Sequence, residues 1–116
     1  MITVKDLLDV LKKNKINFFT GVPDSVLKGL SKNINNLKKH HHVVAVNEGA
    51  AVSLGIGYYL STKKIPCVYL QNSGLSNAIN PLISIAHKEV YSIPLLLMIG
   101  WRGAPGLKDE PQHMVK

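Results

Sequence analysis

Residues 43–60 read VVAVNEGAAVSLGIGYYL. Val43, Val44, Ala45 and Val46 form a short, continuously apolar run, which predicts a strand buried on both faces. Asn47 follows as a candidate N-cap, and Glu48 opens a predicted helix over 48–60. Ala50, Ala51, Val52, Leu54, Ile56, Tyr58, Tyr59 and Leu60 leave that helix almost no polar face. Gly49, Gly55 and Gly57 sit among them, each costing about 0.8–1 kcal/mol relative to alanine in a helix interior. A helix that is apolar all round and rich in small residues is expected to be buried on every side. A chain of 116 residues has little material to cover it. A subunit or domain interface is therefore expected along 48–60, with Glu48 beside it.

The alternation of strand and helix extends both ways from this unit. Upstream, Val4, Leu7, Leu8, Val10 and Leu11 recur at helical spacing over 3–13, and Thr3 with Asp6 stands in the relation of a capping pair. A β-rich run over 16–22 ends in Gly-Val-Pro. Asp24 can then cap a second helix with Val26, Leu27, Leu30 and Ile34 on one face. Downstream, strands are predicted over 65–70 and 94–99. Between them lies a helix over 75–88 that either kinks at Pro81 or restarts there. Strands that are apolar runs, alternating with helices, indicate one α/β domain over 1–116 with a parallel sheet flanked by helices. Ligands of such sheets bind at the carboxyl edge of the strands. The loops at that edge are Gly21-Val22-Pro23-Asp24-Ser25, Asn47-Glu48, Gln71-Asn72-Ser73-Gly74 and Gly100-Trp101-Arg102-Gly103.

Composition narrows the function classes. The chain is 46% hydrophobic and carries 14 Lys+Arg against 7 Asp+Glu, a net charge of +7. The apolar fraction is that of a globular domain, and no apolar run is long enough for a transmembrane helix. The N-terminus does not have the pattern of a secretory signal. The single cysteine, Cys67, allows no internal disulfide framework and points to the cytoplasm. The lysines are dispersed over helix faces and connections, with one arginine and no interleaved aromatics. That pattern suits solvated surfaces better than nucleic acid. A non-catalytic basic α/β binding module remains the rival class, and it would bind nucleic acid with a steep salt dependence.

At the carboxyl edge Glu48 is the sharpest residue. The helix dipole favours its charge, apolar surroundings oppose it, and a simple helix-start acid accounts for it equally well. Asp24 is explained by a turn and N-cap. No GxGxxG or GxxxxGK[ST] pattern supplies a diphosphate cradle. His40, His41 and His42, next to Lys38 and Lys39, enter an extended segment where alternate side chains face opposite ways, so a solvated loop is expected rather than a metal site. His113, a lone histidine, reads without context as a surface residue.

Taken in order, GVPDS at 21–25, NEGAA at 47–51, QNSGLSNAINPL at 71–82, IPLLLMIGWRG at 93–103 and KDEPQH at 108–113 resemble the phosphonopyruvate decarboxylases. The resemblance is to the N-terminal, pyrimidine-binding domain of these thiamine-diphosphate enzymes. It covers essentially the whole chain, with the α-subunit of sulfopyruvate decarboxylase as the close alternative. It implies that Glu48 hydrogen-bonds the pyrimidine N1′ of the cofactor and promotes removal of the thiazolium C2 proton, ahead of decarboxylation of a small anionic 2-oxo acid. It implies catalytic roles for Ser25 or the adjacent Asp24 and for His113. Pro23, Gln71 and Asn72 are placed on the cofactor side, and Arg102 and Lys108 toward a phosphonate. Ser76 stands where the family pattern has Gly. The family's diphosphate and Mg2+ are held by a C-terminal domain with a Gly-Asp-Gly…Asn signature that 1–116 lacks, and the chain ends before the last part of the pyrimidine domain is expected. A fragment or one half of a split enzyme is therefore expected. Its partners would be a diphosphate-binding domain or subunit and a second copy along 48–60, with no nucleic acid and no membrane.

Overall fold

The computed structural model describes residues 1–114. Four strands, β1 (Phe19–Gly21), β2 (His42–Val44), β3 (Cys67–Gln71) and β4 (Leu96–Gly100), form one all-parallel sheet in the order β2-β1-β3-β4. Four helices, α1 (Val4–Lys13), α2 (Lys28–Ile34), α3 (Glu48–Thr62) and α4 (Leu75–Pro81), alternate with them. This is the expected α/β architecture. The strand order reverses between β1 and β3, so the crevice of such a sheet opens at their carboxyl ends.

β3 decides where the core sits. Its Val68 and Leu70 face Ala51, Val52, Ile56 and Ala78 of α3 and α4. Its Cys67 and Tyr69 face Leu11, Leu30 and Ile34 of α1 and α2. Both faces of the strand are thus covered, which is why it reads as an unbroken apolar run. Burial pushes the Cys67 thiol and the Tyr69 phenol each up to about 12. Tyr69 keeps its hydroxyl paired with His42 Nε2 at 2.8 Å.

Several local outcomes differ from the sequence reading. The 43–46 run is a sheet edge, with Val46 91% exposed, rather than a strand buried on both faces. β1 is shorter than 16–22. α2 starts at Lys28 because Asp24 Oδ2 accepts the amides of Val26 and Leu27 at 3.1 and 3.3 Å, holding 24–27 as a turn before the helix. At Pro81 the helix does not restart with a new cap. It widens into a π-helical turn over Leu82–Ala86, because proline brings no amide and the hydrogen-bond frame slips. α1 has its full capping box, with Asp6 N donating to Thr3 Oγ1 and Thr3 N to Asp6 Oδ2.

α3 is buried along one face only, through Glu48, Ala51, Val52, Gly55 and Ile56. Gly57 on its opposite side is exposed, as are Leu54 and Leu60 on its flanks, Leu60 by 53%. The sheet and α4 cover a single side of the helix, so the expectation of burial all round does not hold within this chain. Gly55 has a packing reason: a Cβ there would lie 2.9 Å from Val68 Cγ2 and 3.3 Å from Pro66 Cγ. Nothing lies within 4 Å of a Cβ at Gly57. Gly57→Ala should therefore stabilise the protein by about 0.8–1 kcal/mol, while Gly55→Ala gains nothing or loses. Denaturant midpoints of the two variants check this; equal gains would contradict the packing described.

Candidate functional site

The loops following the four strands gather at one edge of the sheet. Glu48 is the first residue of α3, whose N-cap Asn47 accepts the Ala50 amide at 2.8 Å. The carboxylate is 8% exposed. Asn77, on α4, donates from Nδ2 to Glu48 Oε2 at 3.0 Å. Oε1 has no hydrogen-bond partner among the described residues, yet it is not sealed from solvent. A Cβ at Gly74 would overlap Oε1, so this glycine is the floor of the site. A Cβ at Gly49 would meet the Asn77 carbonyl at 2.8 Å, so α3 and α4 touch backbone to backbone beside the carboxylate.

Asp24 is the second buried acid, at the carboxyl end of β1. Its Oδ2 caps the 24–27 turn and lies in a notch left by Gly100, where a Cβ would overlap it. Its Oδ1 is buried with no partner. Ser25 and Pro23 beside it are exposed, and Gln71 at the end of β3 is half-buried.

Asn72, Arg102 and His113 are brought together, along with an acid that the sequence reading passed over. Asn72 Nδ2 donates to the carbonyls of Arg102 and His113 at 3.2 and 3.1 Å, and its Oδ1 accepts the Arg102 amide at 3.1 Å. Asp109 takes Arg102 in a fork, Nε to Oδ2 at 3.0 Å and Nη2 to Oδ1 at 2.8 Å. Asp109 Oδ1 also lies 3.0 Å from His113 Nδ1, and Arg102 Nη1 lies 3.4 Å from His113 Nε2. His113 is 3% exposed, a buried residue rather than the surface histidine its isolation suggested. Asn72 thus ties down the segment after β4, and Arg102 is committed to Asp109. Lys108 is exposed, with no ion pair among the described residues.

The His40–His42 run points three ways. His41 Nδ1 lies 3.0 Å from the Asn17 carbonyl, His42 bonds Tyr69, and His40 packs on the His41 ring. Burial holds His42 below its ordinary value. Among the described residues no three His, Cys, Asp or Glu side chains are placed to hold a metal. No helix among the described residues is long and apolar enough to cross a membrane.

The Glu48 site fits an aminopyrimidine. It offers a carboxylate largely out of water, one oxygen already paired and the other unpaired and reachable, above a glycine that leaves space.

Comparison with known proteins identifies the family. The family described as thiamine pyrophosphate enzyme, N-terminal TPP binding domain, matches residues 1–116. The phosphonopyruvate decarboxylase of Streptomyces hygroscopicus is 36% identical over 113 residues, 97% of this chain and 27% of that protein. Sulfopyruvate decarboxylase subunit alpha of Methanocaldococcus jannaschii is 36% identical over 97 residues, 84% of this chain and 56% of that one. The crystal structure of benzoylformate decarboxylase from Polynucleobacter necessarius superposes with a TM-score of 0.72 at 26% identity, over 88% of this chain and 19% of that chain. The chain spans about a quarter of the length of the phosphonopyruvate decarboxylases it matches.

The Arg102–Asp109–His113 cluster has an acid limit. The Glu110 amide and the Arg102 guanidinium hold the Asp109 carboxyl down at about 2. An unfolded aspartate titrates near 3.9, so the contribution of Asp109 is complete above about pH 4 and is lost as the pH falls through about 2. Asp109→Asn should speed proteolytic cleavage within 101–114 several-fold at neutral pH. Cleavage as slow as in the wild type would show that the cluster does not hold the segment.

Proposed function

The chain belongs to the thiamine pyrophosphate enzyme family as its N-terminal TPP-binding domain, and we propose that it supplies Glu48 and the neighbouring loops to a decarboxylase of a small anionic 2-oxo acid. The observation that carries this reading is Glu48 itself, buried at the start of α3 with one carboxylate oxygen paired and the other without a partner among the described residues. Such a group can exchange a proton with a ring nitrogen held against it while the surrounding protein keeps bulk water away. When bound, thiamine diphosphate supplies the electron sink for the pair left behind as carbon dioxide departs.

The residues of this chain divide the remaining work. Glu48 holds and moves a proton at Oε1. Ser25, exposed beyond the β1 turn, can reach a substrate, whereas Asp24 turns inward on Gly100 and serves the turn. His113, oriented by Asp109 and Arg102, is the candidate proton carrier. Arg102 is neutralised by its fork with Asp109, so Lys108 is the cation available to a second anionic group on the substrate. Pro23, Gln71 and Asn72 shape the floor and rim of the cofactor side, Asn72 by anchoring the segment after β4.

The substrate proposed is 3-phosphonopyruvate, which loses carbon dioxide and takes up a proton to give phosphonoacetaldehyde. The likeness to phosphonopyruvate decarboxylases across nearly all of this chain supports it. Sulfopyruvate is the second reading, favoured by the likeness to the sulfopyruvate decarboxylase alpha subunits. On either reading the diphosphate and Mg2+ are held by a C-terminal domain or a separate subunit, and the exposed face of α3 meets a second copy of this domain.

Glu48→Gln in the intact enzyme should lower kcat about 10²- to 10⁴-fold with the thermal midpoint little changed, because the new amide can still accept from Asn77. Wild-type kcat would remove the assignment. The kcat/KM values for 3-phosphonopyruvate and 3-sulfopyruvate, measured side by side, should favour the phosphonate; a preference for the sulfonate selects the second reading.

A further inference from the structure

Glu48 is held by two residues of the segment after β3, and they act on its two oxygens differently. Asn77 Nδ2 can only donate, and it donates to Oε2 at 3.0 Å. A proton on Oε2 would have to face the amide hydrogens, so a protonated Glu48 carries its proton on Oε1. Turning the amide over would set the Asn77 carbonyl oxygen against an ionised carboxylate, acceptor to acceptor. Asn77 is solvent-exposed, and it is the backbone of the residue that is held. Its backbone carbonyl lies where a Cβ on Gly49 would come within 2.8 Å, so the start of α4 is pressed against the start of α3. Gly74 leaves Oε1 uncrowded where any other residue would overlap it.

We propose that Asn77 is a positioning residue for Glu48, reserving Oε2 as an acceptor and leaving Oε1, above Gly74, to carry and pass the proton. This rests on the reading of Glu48 as the proton-exchanging group. In the exchange the Oε1–H bond breaks as a ring N–H bond forms, the electron pair stays on the carboxylate, and the reverse step restores the acid. Through both steps Oε2 keeps the Asn77 bond, so the carboxyl group does not rotate.

The test uses Asn77→Ala, Asn77→Asp, Glu48→Gln and the double variant Glu48→Gln/Asn77→Asp in the intact enzyme. Three readouts apply: the thermal midpoint without cofactor, the affinity for thiamine diphosphate, and the rate at which bound thiamine diphosphate exchanges its C2 proton for deuterium. Asn77→Ala should slow exchange about 10- to 100-fold while cofactor affinity stays within about threefold of wild type. Asn77→Asp sets two carboxylates against each other and should lower the midpoint. The double variant should recover that midpoint, because the amide introduced at 48 donates to the carboxylate introduced at 77, yet exchange should stay suppressed. Wild-type exchange in Asn77→Ala, or a double variant no more stable than Asn77→Asp alone, overturns the proposal. If Glu48→Gln suppresses exchange while Asn77→Ala does not, the role of Asn77 falls and that of Glu48 stands. Wild-type exchange in Glu48→Gln removes both.

Discussion

An acid taken out of water must find partners or give up its charge, and this constraint at Glu48 organises the domain. The position at the head of α3 gives the carboxylate the favourable end of the helix dipole. Asn77 gives it one hydrogen bond from the facing helix. That bond requires the starts of α3 and α4 to meet closely, which requires Gly49 and Gly74 at the contact. It also requires β3 to run beside β1 in the middle of the sheet, so that the segment leaving β3 ends at the head of the helix that follows β2. The other oxygen of the carboxylate has no hydrogen-bond partner among the described residues, and the proposed proton exchange rests on it.

The same device occurs a second time. Asp24 rests in a notch that exists because residue 100 is glycine, as Glu48 rests over Gly74. Both acids lie at the carboxyl edge, one after β1 and one after β2, and both notches come from the segments that end β3 and β4. They differ in what their oxygens do. Asp24 uses Oδ2 on two amides of its own turn and buries Oδ1 without a partner. Glu48 uses one oxygen on a residue far along the chain and keeps the other accessible. The first arrangement fixes a loop; the second suits proton exchange.

Much of the architecture was legible because it rests on short-range rules. The Thr3–Asp6 capping box, the Asn47 cap and the apolar runs of β3 and β4 depend on neighbours within a few residues. Glu48 was legible for the same reason, as an acid at a strand-to-helix junction. The features that were not legible depend on distant partners. Asn77 meets Glu48 across 29 positions, and Asn72 meets His113 across 41. Without context His113 reads as a surface residue, because Arg102, which lies against it, is 11 positions away, although the resemblance implies a catalytic role; Asp109 alone, four residues before it, offers a local signal. The exposure of α3 had no sequence signature. Its composition describes the contacts the helix is suited to make, and within this chain only one face makes them. The likeness to thiamine-diphosphate enzymes adds what spacing alone does not carry, the family to which the chain belongs.

The most direct measurement is a crystal structure of the intact enzyme with thiamine diphosphate bound. The account predicts Glu48 Oε1 within hydrogen-bond distance, about 2.6–3.2 Å, of a pyrimidine ring nitrogen, with Oε2 still on Asn77. A cofactor bound away from Glu48, or one met through Oε2 with the Asn77 bond broken, would contradict it.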